Sequence, residues 1–266
     1  MSPAVVVTGA FGGMGRAVTE SLAAAGYSVF ALDLRLPKEP LPQGVTPIAC
    51  DVTSEESVKS AYEEVGRHTE EVYAILHFAG VYMLDSLVEM EGERLNRTFQ
   101  INVLGVARVN RIFLPLLHKG SRILITTSEL APLDPLPFTG VYAITKSTLE
   151  SYAFSLRMEV QLLGIDVVVL RPGAVDTGMI DVSMRELDAF TNKTEIYTCN
   201  AARFRQIVET VEARKIAPHR IGRLVVKILK KRRMRYTYAI NRNPLLVLMH
   251  LLPRRAQTKI IKWILQ

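Results

Sequence analysis

The run Val5-Val-Val-Thr8 stops abruptly at Gly9-Ala-Phe-Gly-Gly-Met-Gly15, and this junction constrains the fold more than any other stretch. Four consecutive β-branched residues read as a buried strand. The glycines after them permit a tight turn and a close backbone approach to whatever the turn faces. Arg16 to Ala25 then fits a helix, and Tyr27-Ser-Val-Phe-Ala-Leu-Asp33 fits a second strand that ends in an acid eighteen residues after Gly15. In that order these features build a pyrophosphate cradle at a helix N-terminus, with a carboxylate placed for the adenine-ribose hydroxyls. A glycine turn followed by a loop-capping Asp would account for some of them. The full sequence of strand, turn, helix, strand and acid favours a dinucleotide.

The alternation continues. Thr46 to Cys50, Val72 to Phe78, Arg122 to Thr127 and Ile165 to Leu170 read as further strands. Helical patterns separate them, one beginning at Ser54-Glu-Glu-Ser, one running from Glu91 to His118 and one from Tyr142 to Leu163. Short apolar strands alternating with helices predict an α/β, Rossmann-type, doubly wound parallel sheet. Ligands on such a sheet bind at the carboxyl ends of the strands, where Gly9, Asp33, Asp51, Gly80, Ser128 and Pro172 all fall.

At 266 residues, 48% hydrophobic and 22% charged, the chain can bury one large core, and no linker divides it. The first strand begins almost at the first residue, no apolar run reaches the roughly 18 residues of a bilayer span, and only Cys50 and Cys199 are present. Together these set the expectation of a cytoplasmic protein without a disulfide framework. The five histidines show no metal-ligand spacing, so no metal is expected. Charge is uneven: residues 214–266 hold fifteen Lys/Arg and no acid, which leaves 18 − 26 = −8 for residues 1–213.

Tyr142 and Lys146 stand four apart in the Tyr142–Leu163 pattern, and Ser128 lies fourteen residues before Tyr142 at the end of a strand. Four helical positions are a rise of roughly 6 Å with both side chains on one face. That places an ammonium beside a phenol and favours its ionised form. A Tyr acting as a base near neutrality needs its pKa lowered by roughly 3 units, about 4 kcal/mol. One charge at ~6 Å in an effective dielectric of ~20 supplies less than about 3 kcal/mol. A second positive charge is implied, and an oxidised nicotinamide ring suits that part.

Over about residues 3–240 the chain resembles the short-chain dehydrogenases/reductases. Thr8-Gly9-x-x-x-Gly13-x-Gly15, Asp51-Val52, Ile101-Asn102-Val103, the set Ser128, Tyr142 and Lys146, and Pro172-Gly173-x-x-x-Thr177 carry the resemblance. It implies an NAD(P)-dependent alcohol dehydrogenase or ketone reductase in which Asn102, Ser128, Tyr142 and Lys146 are catalytic. Ser128 would hold the substrate oxygen, Tyr142 would transfer a proton, Lys146 would bind the nicotinamide ribose and Asn102 would hold a water in a proton relay. The implied cofactor-binding set is Gly9, Phe11, Gly12, Gly13, Met14, Gly15, Asp33, Asp51, Val52, Ala79, Gly80, Tyr142, Lys146, Pro172, Gly173, Val175 and Thr177. Asp33, with Gly12 and not a base before Gly13, points to NAD over NADP, while Arg16 and Arg35 are the side chains able to reach a phosphate. A homo-oligomer, dimer or tetramer, is also expected. Two features depart from the family pattern. His77-Phe78 stands where Asn-Asn is usual, and the Ser-to-Tyr spacing is one residue long, across a loop (129–141) with three prolines.

A catalytic domain over 1–242 is expected, with a lid at 178–215 holding Met179, Ile180, Met184, Leu187, Phe190, Ile196, Tyr197 and Phe204. With Val81, Tyr82, Met83 and Leu133–Phe138 near the strand ends, the lid suits a lipophilic secondary alcohol or its ketone, a hydroxysteroid by preference. A small-carbonyl reductase, or a non-catalytic cofactor-sensing or membrane-associated binding protein, are the alternatives. The extension 243–266 mixes aliphatic residues, the one Trp and four basic residues after Asn243. It suits either an anionic membrane surface or docking on the subunit or an oligomer interface. Nucleic acid is disfavoured, because the basic residues are interleaved with aliphatics and few aromatics are available to stack.

Overall fold

Every residue of β1 (Ala4–Thr8) is buried, as a central parallel strand requires. The other strands are β2 (Ser28–Asp33), β3 (Val45–Ala49), β4 (Val72–His77), β5 (Leu117–Thr126), β6 (Asp166–Pro172) and β7 (Thr237–Ile240). They form one seven-stranded sheet in the order β3-β2-β1-β4-β5-β6-β7, with every pairing parallel. These are findings from a computed structural model that describes residues 2–212 and 214–266, the side chains at 180–181 and 209–212 lying outside the description. Ile180 of the expected lid is therefore outside the described side chains. Strand order reverses between β1 and β4, which sets the crevice for a ligand there.

Helices cover both faces. On one, α1 (Gly13–Ala24) packs against α8 (His219–Leu229), burying Val18, Leu22, Ile221 and Val225 on Val5, Val7 and Leu76. A Cβ added to Gly222 would lie 2.1 Å from Ser21 Oγ, so these two helices approach as only glycine allows. On the other, α2 (Glu55–Gly66), whose N-cap Ser54 accepts from Ser57 N, covers Val6, Phe30 and Ile75. α5 (Gly140–Val160) adds Leu149 and Ala153 against Ile123, Ile125 and Val167.

The helical pattern from Glu91 to His118 is not one helix. It divides into α3 (Gly92–Phe99), a π-helical turn at Gln100–Leu104 and α4 (Gly105–Phe113). A 3₁₀ turn over Leu114–Leu116 with Pro115 then ends it, and β5 begins at Leu117, five residues earlier than the expected Arg122. The π turn carries Asn102, which is fully buried. Single π turns of this kind widen a helix locally and redirect a side chain.

The stretch expected as a lid forms a helical pair, α6 (Gly178–Lys193) and α7 (Thr198–Glu212). It is tied to the loop after β4 by charge: the buried Asp85 carboxylate accepts from Arg94 at 2.8 Å and from Lys193 at 3.3 Å. The extension forms α9 (Pro244–His250) and α10 (Arg254–Leu265), and α10 docks on that pair. Leu265 is buried with Phe190 and Phe204, and Asn200 donates to its carbonyl at 2.7 Å. Arg254 and Gln257 both reach Asp134 in the loop before α5, at 3.0 and 3.1 Å.

Candidate active site

Two connected cavities open at the carboxyl ends of the strands. The larger, of about 1030 Å³, is lined by Gly9, Phe11 to Gly15, Asp33, Asp51, Val52, Ala79, Gly80 and Thr177. The smaller, of about 180 Å³, is lined by Ser128, Tyr142, Lys146, Pro172, Gly173 and Val175. They share Met14, Phe78 to Tyr82, Thr177 and Met179. The residues expected to be catalytic or cofactor-binding line one or both, except Asn102. Of the expected substrate-side residues, Met179, Phe204, Val81, Tyr82 and Leu136 line them, whereas Met83, Met184, Leu187, Phe190, Ile196 and Tyr197 do not.

The glycines act here by close approach. Gly9, at φ +64°, would place a Cβ 2.5 Å from Ala79 N across the crevice between β1 and β4. A Cβ on Gly13 would fall 2.3 Å from the Thr177 Cβ, and one on Gly15 would fall 2.0 Å from Gly9 O. No larger residue fits at these positions without moving backbone or Thr177. The turn thus presents the N-terminus of α1 to the groove, as a phosphate requires. Asp33 accepts from Phe11 N at 2.9 Å and from Arg35 N at 3.2 Å, so its carboxylate also pins the turn. Asp51 Oδ1 accepts from the Thr53 amide and hydroxyl at 2.8 and 2.7 Å. These residues fit a dinucleotide in shape and donor set.

His77 reaches the smaller cavity but not the dinucleotide groove. It is buried, with Nε2 2.8 Å from Asn110 Oδ1, and desolvation pushes it down to about pKa 4. The ring is therefore neutral and donates to Asn110. Phe78 beside it lines both cavities, so an apolar wall stands where the family pattern has a polar side chain.

Tyr142, Ser128 and Lys146 are all buried. The Tyr82 ring packs on the Tyr142 phenol with centroids 4.8 Å apart. Burial pushes the Tyr142 pKa upward, with Tyr82 adding to the rise and Ser128 opposing it. The side-chain spacing on α5 is as expected, but the expected ionised phenol is not what this environment favours. The reason is that Lys146 Nζ donates to Thr126 O at 3.2 Å and stands 5.6 Å from the phenol ring centroid, where burial lowers its own pKa to about 8. Desolvation outweighs its attraction.

Asn102 takes a positioning part. Its Oδ1 accepts from Val81 N at 2.8 Å, while Nδ2 donates to Val81 O at 2.9 Å and to Thr145 Oγ1 at 3.2 Å. Thr145 in turn donates to the Tyr142 carbonyl at 2.8 Å. The carboxamide thus couples the loop after β4 to α5.

Sequence reasoning missed Glu129. This carboxyl lines the smaller cavity next to Ser128, accepts from Asn243 N at 2.6 Å and has its pKa raised by burial. It also missed Leu246 of α9, which reaches the same cavity. The proximity of residues more than a hundred positions apart has no local trace in the sequence.

Comparison with known proteins agrees with this geometry. The family model described as short chain dehydrogenase matches residues 3–188. A 3-ketodihydrosphingosine reductase from Bacteroides thetaiotaomicron is 26% identical over 87% of this chain and 86% of its own. Estradiol 17-beta-dehydrogenase 2 from Mus musculus is 31% identical over 66% of this chain, which spans 49% of that longer protein. A short-chain dehydrogenase from Streptomyces avermitilis superposes with a TM-score of 0.77 at 21% identity, covering 99% of this chain and 96% of its own. With its glycine turn, its Ser-Tyr-Lys set and its parallel sheet, this chain belongs to the short chain dehydrogenase family of NAD(P)-dependent oxidoreductases.

Proposed function

We propose that the protein interconverts a lipophilic secondary alcohol and its ketone with NAD as the preferred cofactor, and that hydroxysteroids are its substrate class. The observation that carries this reading is the placement of Ser128 and Tyr142 in the wall of an apolar cavity that opens into the dinucleotide groove. Leu130, Leu136, Phe204, Ile207 and Leu246 supply apolar walls around the polar pair.

The amides of the turn from Phe11 to Gly15, Asp33, the Asp51-Val52 edge, Ala79-Gly80, Lys146 and Thr177 would hold the cofactor. When bound, it supplies or accepts the hydride. Ser128 holds the substrate oxygen beside the phenol. Tyr142, kept protonated by burial, holds the proton that a carbonyl oxygen takes up on reduction, and proton transfer of this kind contributes about 10²–10⁴ in rate. In the oxidative direction Tyr142 must take a proton from the alcohol, and positive charge near its ring lowers the cost of ionisation. Asn102 and Thr145 keep the loop after β4 in register with α5.

A carboxylate at Asp33 repels a 2′-phosphate, which supports NAD over NADP. A homo-oligomer is part of the same reading: Ile144, Phe154 and Met158 are exposed along α5 and suit a second copy. A long-chain 3-keto lipid is the second substrate reading, favoured by the Bacteroides reductase that aligns over nearly its full length. The test is a panel of hydroxysteroids, long-chain 3-hydroxy lipids and short alcohols, followed by NADH absorbance. Turnover confined to short water-soluble alcohols would overturn the lipophilic reading.

A further inference from the structure

We infer that the outward faces of α9 and α10 form a docking surface for an anionic lipid bilayer. The sequence left two alternatives for this extension, and the structure shows that docking on the subunit uses only part of it. The inner side of α10 buries Leu265 against α6 and α7 and Gln257 against Asp134 in the loop before α5. Its outer side presents Arg255, Lys259, Lys262 and Trp263, spaced i, i+4, i+7 and i+8 and therefore on one helical face. Trp263 is 81% exposed. Among the described residues none of these three cations has a carboxylate partner, whereas Arg254 beside them pairs with Asp134 at 2.9 Å.

The preceding helix has the same division. Leu246 reaches the substrate cavity, while Leu245, Leu248 and the following Leu251 are 62%, 60% and 75% exposed. Three exposed leucines next to a tryptophan and three unpaired cations match the chemistry of a bilayer interface: aliphatic groups for the acyl boundary, an indole for the headgroup level and cations for anionic headgroups. No described helix is long and apolar enough to cross a membrane, so the contact is peripheral.

Charge selects this occupant over a second copy of the chain. A symmetric contact through this face would set like charges against one another, and residues 214–266 contain no acid to offset them. A membrane surface also explains why the exposed leucines share α9 with a cavity-lining residue: the mouth of the cavity lies beside the bilayer. The docking surface does not depend on which alcohol is the substrate.

The test is co-sedimentation of the full-length protein with phosphatidylcholine vesicles, with and without phosphatidylglycerol, at low and high salt. Binding is expected only to the anionic vesicles and is expected to fall as the screening length drops from about 10 Å at 0.1 M to about 3 Å at 1 M salt. Arg255→Glu, Lys259→Glu and Lys262→Glu together should weaken it by at least about a hundredfold, while Lys259→Arg with Lys262→Arg retains it. Leu245→Ser with Leu248→Ser should weaken it at unchanged charge. Thermal unfolding of each variant checks that the exposed changes leave the fold intact. No sedimentation with anionic vesicles at low salt overturns the inference, as does undiminished binding by the folded triple variant. Binding to double-stranded DNA without binding to vesicles overturns it in favour of a nucleic acid. Loss of a dimer in Leu245→Ser/Leu248→Ser without loss of vesicle binding assigns the leucines to an interface between copies and overturns their place on the bilayer.

Discussion

The Asn102 carboxamide closes on both backbone groups of Val81, accepting from its N–H at 2.8 Å and donating to its carbonyl at 2.9 Å. A side chain that pairs both backbone groups of one residue, as a neighbouring strand would, is a template for the loop that carries it. The π turn at Gln100–Leu104 carries this residue to the loop after β4.

Asn102→Ala should therefore act on stability and turnover together. Two partly buried backbone groups lose their partners, at about 1–3 kcal/mol for each group left unpaired. A loss of about 2–4 kcal/mol in urea unfolding is expected, with kcat lowered at least about tenfold and NADH affinity changed less. A variant with wild-type stability and kcat would remove Asn102 from the positioning network.

Cofactor choice rests on Asp33, which also holds Phe11 N. Asp33→Asn keeps an acceptor for that amide and removes the charge, so it separates the two roles better than truncation. Wild type should bind NAD(H) at least about tenfold tighter than NADP(H), about 1.4 kcal/mol, and the variant should narrow that gap. Titration of both cofactors by fluorescence reads the ratio. A wild-type preference for NADP(H) would assign the site to Arg35, which lines the groove.

His77 predicts a pH dependence of stability. Its folded pKa of about 4 lies below the ordinary 6.5, so the unfolded chain binds the extra proton between these values. Stability is then fully present above about pH 6.5 and is lost as pH falls toward 4, by up to about 3 kcal/mol from this residue. His77→Asn should remove that slope while lowering stability at neutral pH. Urea unfolding from pH 7 to pH 4.5 measures both. An unchanged slope in the variant would place the acid sensitivity elsewhere.

Much of this is legible in the sequence, and the reason is physical. Val5-Val-Val-Thr8 and its counterparts read as strands because a parallel strand is buried on both faces and carries one residue class throughout. Tyr142 and Lys146 were legible because their geometry is local to one helix. The π turn was not, since Gln100-Ile-Asn-Val-Leu104 has no Gly or Pro, and its widening follows the contact of Asn102 with a loop 21 residues away. The raised Tyr142 pKa was missed because burial and the Lys146 bond to Thr126 O arise only in three dimensions. Glu129 paired with Asn243 is illegible for the same reason.

The central claim is that the buried Tyr142 phenol moves the proton in an alcohol–ketone reaction. Its most direct test compares wild type with Tyr142→Phe on the best substrate of the hydroxysteroid and long-chain panel, with NADH binding measured in parallel. The variant should bind NADH within about twofold of wild type and lose at least about a hundredfold in kcat, in line with the loss of a general acid–base. A folded Tyr142→Phe enzyme that turns over at the wild-type rate would contradict the account.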